Sequence, residues 1–271
     1  MLKLSIATSY TNPEERMDPW KEALECYHDL ADEVVRSGEN WPYEFSWEYI
    51  GQVFNESFQK ATGDWVIRMD LDYFFHEKDF SKIKSVLINN SDQPAVAFPK
   101  MQFFTPSRYN LKTNIVIAYN KKKFPDIKLN GGGDLCLPTL KNKEILPTSV
   151  PIISDVFLWN YDCMFKTKEV ISEDRARFAR AWYRCFGDWG SEEGDSKQKA
   201  FDTWFTMVEG RYKNHTKKME IKNHPKYIQN KIKDLDSSQF GYSAFGLEQK
   251  LHDPMLSRFL RKIKRKRKLN Y

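Results

Sequence analysis

The first part of the chain alternates short apolar runs with helix-spaced apolar positions. Leu2 to Thr8 predicts a first strand, a helix follows from about Trp20 to Leu30, and Asp32 to Val35 predicts a second strand. Strand, helix and strand in this order open a doubly wound parallel sheet, whose ligands bind at the carboxyl ends of the strands.

A second helix and a third strand follow in the pattern. Phe54, Phe58 and Ala61 fall on one helical face, and Gly63 is suited to end that helix. The residues from Trp65 to Met69 then form a short apolar run, which predicts a strand buried on both faces.

The second half of the chain predicts a mixed continuation of the sheet. Ala95 to Phe104 and Thr113 to Tyr119 predict two strands joined by Thr105-Pro106-Ser107. Two helices are predicted from Lys166 to Arg184 and from Lys197 to Gly210, and the apolar stripe of the second is typical of core contacts. With no internal repeat and no linker, the pattern predicts one α/β domain over 1–250, a doubly wound mixed sheet flanked by helices. A helical basic extension is predicted over 251–271.

The charge of the chain is concentrated at its end. The formal net charge is +6, but eight basic residues lie between 258 and 268, so the remainder carries about −2. Met255, Phe259 and Ile263 are spaced four apart among these cations. Such a basic amphipathic helix lies on an anionic membrane surface or on nucleic acid phosphates, or it is a solvated end that aids solubility. The sequence leaves these three interpretations open.

Composition narrows the cellular setting. No run of about twenty apolar residues is present, so no membrane span is expected. The N-terminal apolar run is too short for a secretory signal. The four cysteines are widely separated without paired metal spacing, which indicates reduced thiols: Cys26, Cys136, Cys163 and Cys185. We therefore expect a cytoplasmic protein, with peripheral membrane contact of the tail as an open alternative.

Two acids follow the predicted third strand at a spacing that suits a metal. In an extended segment residues i and i+2 point to the same side, so Asp70 and Asp72 would present two carboxylates to one divalent ion. Oxygen ligands of this kind suit Mg²⁺ or Mn²⁺, which keep positions open for phosphate oxygens. The pattern is typical of a metal-diphosphate site, although acid-x-acid triplets also occur at solvated strand ends.

The residues from Asn55 to Asp72 give this spacing a context. The segment Ala61-Thr62-Gly63-Asp64, followed by the buried strand and the Asp-x-Asp, resembles the middle of family 2 glycosyltransferases and their relatives. The resemblance implies a GT-A fold, a nucleotide-sugar donor and Mn²⁺ or Mg²⁺ held by Asp70 and Asp72. It also implies transfer to an acceptor hydroxyl with inversion at the sugar.

The end of the first strand is the expected nucleotide site. The rule for doubly wound sheets and the resemblance both place the base and ribose at the residues after this strand. These candidates are Thr8, Ser9, Tyr10 and Asn12, with Asp70 also contacting the donor.

The general base is less well defined. Related enzymes carry it in a Glu-Asp pair before a helix, and this chain lacks the pair in the similar run Lys199 to Met207. Asp202 is the nearest acid, and Asp188 and Asp195 in the preceding glycine-rich loop are alternatives. Asp202 is equally typical of an acid in the first turn of a helix.

Two histidines receive different predictions. Many GT-A enzymes supply a late histidine as a further metal ligand, and His224 resembles it in position, against the alternative of a surface histidine. His76 follows the acids closely, and a turn or acceptor-side role is favoured there over ligation.

Three classes of function remain from the sequence. The favoured one is a glycosyltransferase whose acceptor is a glycan, a lipid-linked glycan or a hydroxymethylated DNA base. A nucleic-acid-binding protein that uses the basic tail is a rival. A nucleotidyltransferase is a second rival, but it usually has a glycine-rich N-terminal loop, and Ser5 to Tyr10 contains no glycine.

Overall fold

The computed structural model describes residues 2–131, 137–187 and 194–252. The ten strands of this part are β1 Leu4–Ser9, β2 Glu33–Ser37, β3 Trp65–Met69, β4 Tyr73–Phe74, β5 Ala95–Thr105, β6 Arg108–Tyr119, β7 Thr139–Leu140, β8 Lys143–Glu144, β9 Leu158–Asn160 and β10 Thr216–Lys218. The α-helices are α1 Trp20–Leu30, α2 Trp47–Lys60, α3 Phe80–Asn89, α4 Lys168–Phe186, α5 Lys197–His215, α6 Gln229–Lys233, α7 Phe240–Ser243 and α8 Leu247–His252.

An eight-stranded mixed sheet forms the centre of the fold. Its order is β2-β1-β3-β6-β5-β9-β4, with β10 paired to the first residues of β6. Strands β2, β1 and β3 are mutually parallel, whereas β6 runs antiparallel to β3 and to β5. The sheet therefore changes direction beside β3, which carries the two acids at its end.

Helices cover both faces of the parallel part of this sheet. Alternation along β3 sends Trp65 and Ile67 into one core cluster with α1 and α3, and Val66 into another with α2. All five residues of β3 are buried. The prediction of a doubly wound mixed sheet flanked by helices is confirmed. Of the basic extension predicted over 251–271, the part from 253 onward lies outside the described residues.

A third apolar cluster lies under the C-terminal helices. Phe104 at the end of β5 packs with one face of α5, where Phe201, Trp204 and Val208 recur at helical spacing. The core role predicted for this stripe is confirmed, and it fixes the helix against the second half of the sheet.

Most element boundaries differ from the predictions by a few residues. Helix α1 has the predicted bounds, but β6 begins at Arg108, and α5 continues to His215. The early start of β6 comes from its hairpin with β5, which pairs with β6 from Arg108 onward, and β10 pairs with residues 108–110 as well.

Gly63 does not end α2 as predicted. The helix ends at Lys60 with Ala61 as its C-cap in extended conformation. A Cβ at Gly63 would lie 2.6 Å from Ser5 Oγ and 2.7 Å from Ser5 N. Gly63 is therefore required for close approach to β1 rather than for helix termination.

The described helices include none long and apolar enough to span a membrane. Among the described cysteines, Cys26 and Cys163 are buried free thiols and Cys185 is an exposed one.

Candidate functional site

A cleft of about 510 Å³ opens at the carboxyl ends of β1 and β3 and extends over β5, β6 and β9. Apolar and aromatic side chains from α2, α4 and the segment between β2 and α2 form part of its wall. The polar and charged lining residues are Ser9, Thr11, Arg16, Asp18, Asp70, Asp72, Tyr73, Lys100, Gln102, Lys112, Asn160, Asp162, Arg175, Arg177 and Arg211. The cleft thus lies where ligands of doubly wound sheets bind.

Asp70 and Asp72 both line this cleft. The residues after β3 form a turn in which Tyr73 N donates to the Asp70 carbonyl at 2.8 Å. The hydroxyl of the buried Tyr27 on α1 also donates to that carbonyl, at 2.6 Å. The two carboxylates therefore share one site because of a fixed turn, and not through the strand alternation that the spacing suggests.

Asp72 is held by the strand next to its turn. Asn160 Nδ2 donates to Asp72 Oδ2 at 2.9 Å, and Tyr161 N donates to the Asp72 carbonyl at 2.9 Å. Burial, and then the charges of Asp162 and Asp70, raise the pKa of Asp72 to about 8. A cation bound between these carboxylates would oppose that rise, so the acids suit a positively charged ligand.

Asp162 is a cleft carboxylate that sequence reasoning missed. Arg175 Nη2 on α4 donates to Asp162 Oδ2 at 2.8 Å, and Gln102 Nε2 lies 3.4 Å from the same oxygen. Burial alone would raise the pKa of Asp162, but Arg175 and Lys166 hold it well below its usual range. The available signal was its position shortly after the apolar run from Val156 to Trp159, as Asp70 follows β3.

A network of two cations and two carboxylates fixes the wall beside these acids. Arg16 contacts Asp18 at 3.0 Å and Asp174 at 3.1 Å. Lys166 contacts the same two carboxylates at 3.0 and 2.9 Å, and its side chain is buried. The two positive and two negative charges of this network balance. Its ion pairs connect the segment before α1 to α4.

Lys100 forms part of the cleft floor. It lies in the middle of β5, is 2% exposed, and its ammonium sits 5.4 Å from the centre of the Tyr73 ring. Burial, and then the charge of Lys112, lower the pKa of Lys100 to about 7, against the opposing effect of Asp72. A buried cation among carboxylates is hard to predict from sequence, because β5 looks like an apolar strand.

The predicted nucleotide residues are only partly brought to the cleft. Ser9 lines the cleft, and its Oγ lies 2.7 Å from Thr11 Oγ1. Thr11 also lines the cleft but was not a candidate from the sequence. Thr8 is fully buried, and the ring of Tyr10 packs edge-on against Trp20 at 5.5 Å. Asn12 has a φ of 36° and belongs to the loop before α1, outside the set of lining residues.

The predicted base candidates are not brought to the cleft. Asp202 is exposed on α5 and accepts a hydrogen bond from Gln198 at 2.7 Å, while Met207 and Arg211 of the same helix line the cleft. Asp195 is also exposed and is absent from the lining. Asp188 lies outside the described residues.

His224 does not face the predicted metal site. Its side chain is buried, with Nδ1 2.8 Å from the Tyr161 hydroxyl and Nε2 2.8 Å from the Pro106 carbonyl. Because both ring nitrogens are occupied by protein partners, neither is directed to a ligand. His76 lies in the turn before α3, its ring edge-on to Trp159, which agrees with the predicted turn position.

The donor set fits a divalent ion that is shared with phosphate oxygens. Among the described residues there is no group of three or more His, Cys, Asp and Glu arranged to hold a metal. Asp70 and Asp72 supply two carboxylates, and Mg²⁺ is usually bound through one or two carboxylates plus substrate phosphates.

Comparison with known proteins gives only distant structural likenesses. No family model and no curated protein matches the chain. Among solved structures, the chain is similar to S. aureus TarS residues 1–349 in complex with UDP, with a TM-score of 0.33 and 12% identity over 78% of this chain and 72% of that one. The complex of the same protein with UDP-GlcNAc gives 0.34 and 12% over 79% and 74%. At these values we draw no functional conclusion from the likeness.

Proposed function

We propose that this protein is a metal-dependent glycosyltransferase of the GT-A type, which moves a sugar from a nucleotide-sugar donor to an acceptor hydroxyl. The observation that carries the proposal is the pairing of the Asp70 and Asp72 carboxylates in a cleft of about 510 Å³ at the carboxyl edge of the sheet. A volume of this size suits a nucleotide-sized ligand.

The donor is proposed to lie along the cleft from β1 towards β5. Ser9 and Thr11 would offer hydroxyls to the nucleoside, and Asp70 and Asp72 are the residues that would hold Mn²⁺ or Mg²⁺. The metal, when bound, neutralises charge that develops on the departing diphosphate. Lys100, buried on the same floor, adds a positive charge in its protonated form.

Asp162 is our candidate for the general base. It is the lining acid that remains after Asp70 and Asp72 are assigned to the metal and Asp18 to Arg16 and Lys166. Its ion pair with Arg175 at 2.8 Å keeps it ionised, the form that accepts a proton, and at the same time makes it a weak base. The acceptor oxygen attacks the anomeric carbon, its proton passes to Asp162, and the bond to the diphosphate breaks. Direct displacement of this kind inverts the anomeric centre. Asp188 is the alternative base retained from the sequence.

A thermal-shift screen tests the proposal directly. Nucleoside diphosphates and nucleotide sugars are added to the full chain with and without Mn²⁺, because a ligand of the native state raises the melting temperature. We expect a shift that requires Mn²⁺ for one family of nucleotides, and we expect the double variant Asp70→Asn/Asp72→Asn to lose it.

The matched control is Asp92→Asn/Asp126→Asn, which removes two exposed carboxylates outside the cleft. It should keep the full shift. A folded wild-type protein that responds to no nucleotide, or a double variant at 70 and 72 that responds like the control, would reject the proposed function.

A further inference from the structure

The cleft carries more positive than negative side chains. Six basic residues line it against four acidic ones, a formal excess of two positive charges. The basic residues are Arg16, Lys100, Lys112, Arg175, Arg177 and Arg211, and the acidic ones are Asp18, Asp70, Asp72 and Asp162. This contrasts with the chain outside the tail, which has a negative balance.

The proposed donor and its metal do not neutralise this excess positive charge. A nucleotide diphosphate bridge carries about two negative charges, and the divalent ion at Asp70 and Asp72 carries two positive ones. Their sum is close to zero, so the occupied cleft keeps its net positive charge. A second negatively charged ligand is therefore favoured, because a cleft with low-dielectric walls concentrates its field.

Two of the cations away from the nucleoside end lie on neighbouring elements. Lys112 lies on β6 and Arg211 on α5, and both are half-buried. In the sheet β6 lies next to β3 on the side away from β1, and α5 packs against β6, whereas Ser9 and Thr11 lie at the end of β1. We call Lys112 and Arg211 the acceptor-side pair.

Both residues of the pair line the cleft that Asp162 also lines. Burial lowers the pKa of Lys112, Asp162 raises it, and Arg211 and Arg175 lower it further. Met207, one turn before Arg211 on α5, also lines the cleft and is 44% exposed. The pair therefore borders an opening that a second ligand can enter beside Asp162.

We infer that the acceptor carries an oxyanion, a phosphate ester or a carboxylate, which binds the acceptor-side pair and brings the acceptor hydroxyl to Asp162. This inference rests on the proposed function, and it names the chemical class of the acceptor. Guanidinium and ammonium groups from two elements suit an oxyanion, since each donates charge-assisted hydrogen bonds from a different direction.

The test is a calorimetric titration with two probes, rac-glycerol 1-phosphate and sodium glucuronate, which separate the phosphate from the carboxylate source. Each is titrated into the full chain alone and into the chain saturated with Mn²⁺ and the nucleoside diphosphate found by the thermal-shift screen. We expect one probe to bind the nucleotide-loaded protein, and the Lys112→Gln/Arg211→Gln variant to bind it about tenfold more weakly or worse.

The matched control is Lys213→Gln/Lys217→Gln, which removes two exposed cations near α5 that do not line the cleft. It should bind the probe like the wild type. Equal loss in both double variants, unchanged binding in Lys112→Gln/Arg211→Gln, or no binding of either probe to nucleotide-loaded wild type would overturn the inference. Failure of the proposed function is a different result, namely the absence of any nucleotide-dependent shift in the wild type.

Discussion

Among individual residues, the side chains of this site differ in how well the sequence alone predicts their positions. Asp70 and Asp72 stand directly after a buried strand, so their place at the edge of the sheet follows from chain order. Asp162 and Lys100 depend on contacts across strands, since Asp162 meets Gln102 of the neighbouring strand and Arg175 of α4. Such contacts require the three-dimensional pairing of β5 with β9, which no local pattern contains.

His224 shows how a motif position misleads. Its place late in the chain suggested a metal ligand, but the fold supplies both ring nitrogens with protein partners. The His224 ring packs against Phe103 of β5 and Trp159 of β9, and both residues are far from His224 in sequence. Burial of the ring is thus a tertiary property.

The first prediction concerns the base. In Asp162→Asn the amide cannot accept the acceptor proton, so we expect turnover to fall by about 100-fold or more. Affinity for the nucleotide should change little, because Asp70 and Asp72, the proposed metal ligands, remain. Turnover is measured as nucleoside diphosphate released from the nucleotide sugar found in the screen.

Asp202→Asn is the matched control, since this acid is exposed and hydrogen-bonded to Gln198 on its own helix. Its turnover should equal that of the wild type. A large loss in Asp202→Asn with normal turnover in Asp162→Asn would return the base to α5.

At the scale of the element, the sequence predicted which segments become strands and helices better than where they end. The apolar periodicity of α1 and β3 is local, and both were found close to their predicted bounds. The first residues of β6 pair with both β5 and β10, and the function of Gly63 depends on β1. Boundaries set by a partner element are not encoded in the segment itself.

The second prediction tests the contact between the α2–β3 connection and β1. Gly63→Ala places a methyl group against Ser5 backbone and side-chain atoms, so we expect a loss of about 1–3 kcal/mol in the free energy of unfolding. Gly210→Ala is the matched control on α5, where a Cβ would meet no atom within 4 Å. It should be neutral or stabilising by up to about 1 kcal/mol, because alanine is the better helix former.

Urea unfolding of the two variants and the wild type, followed by circular dichroism, measures both effects. Equal stability of Gly63→Ala and the wild type would show that β1 and the α2–β3 connection accommodate the added methyl group with no loss in the free energy of unfolding. In that case Gly63 would not be needed for the approach to β1.

In the molecule as a whole, the cleft lies where the strand pairing of the sheet changes from parallel to antiparallel. Strand β3 pairs with parallel β1 on one side and antiparallel β6 on the other, and the two acids follow its end. The residues proposed for the nucleoside and for the acceptor thus come from elements on opposite sides of β3. The parallel pairing of β1 with β2 was predicted from the chain, but the position of β6 between β3 and β5 was not, because the crossover is long-range.

His224 connects distant parts of the molecule, so its protonation affects the free energy of global unfolding. It joins the turn between β5 and β6 through Pro106 to the segment after β9 through Tyr161. Burial, opposed by the hydrogen bond to Pro106, lowers the pKa of His224 to about 4. An unfolded histidine has a pKa of about 6.5.

The third prediction follows from this difference in pKa. Between pH 6.5 and 4 the unfolded chain binds a proton at His224 that the native protein does not bind, so stability falls as the pH is lowered through this range. The full effect is about 3 kcal/mol, and about 2 kcal/mol of it is present at pH 5. Above pH 7 the contribution of this group is independent of pH.

Urea unfolding of the wild type and His224→Gln at pH 7 and pH 5 measures the effect, because the remaining groups titrate in both proteins and cancel in the comparison. We expect the wild type to lose about 2 kcal/mol more than His224→Gln between these two values. His28→Gln, which removes an exposed histidine on α1, should keep the pH dependence of the wild type. If His224→Gln keeps it as well, the ring is protonated in the native state, and the Tyr161–His224–Pro106 connection does not depend on a neutral imidazole.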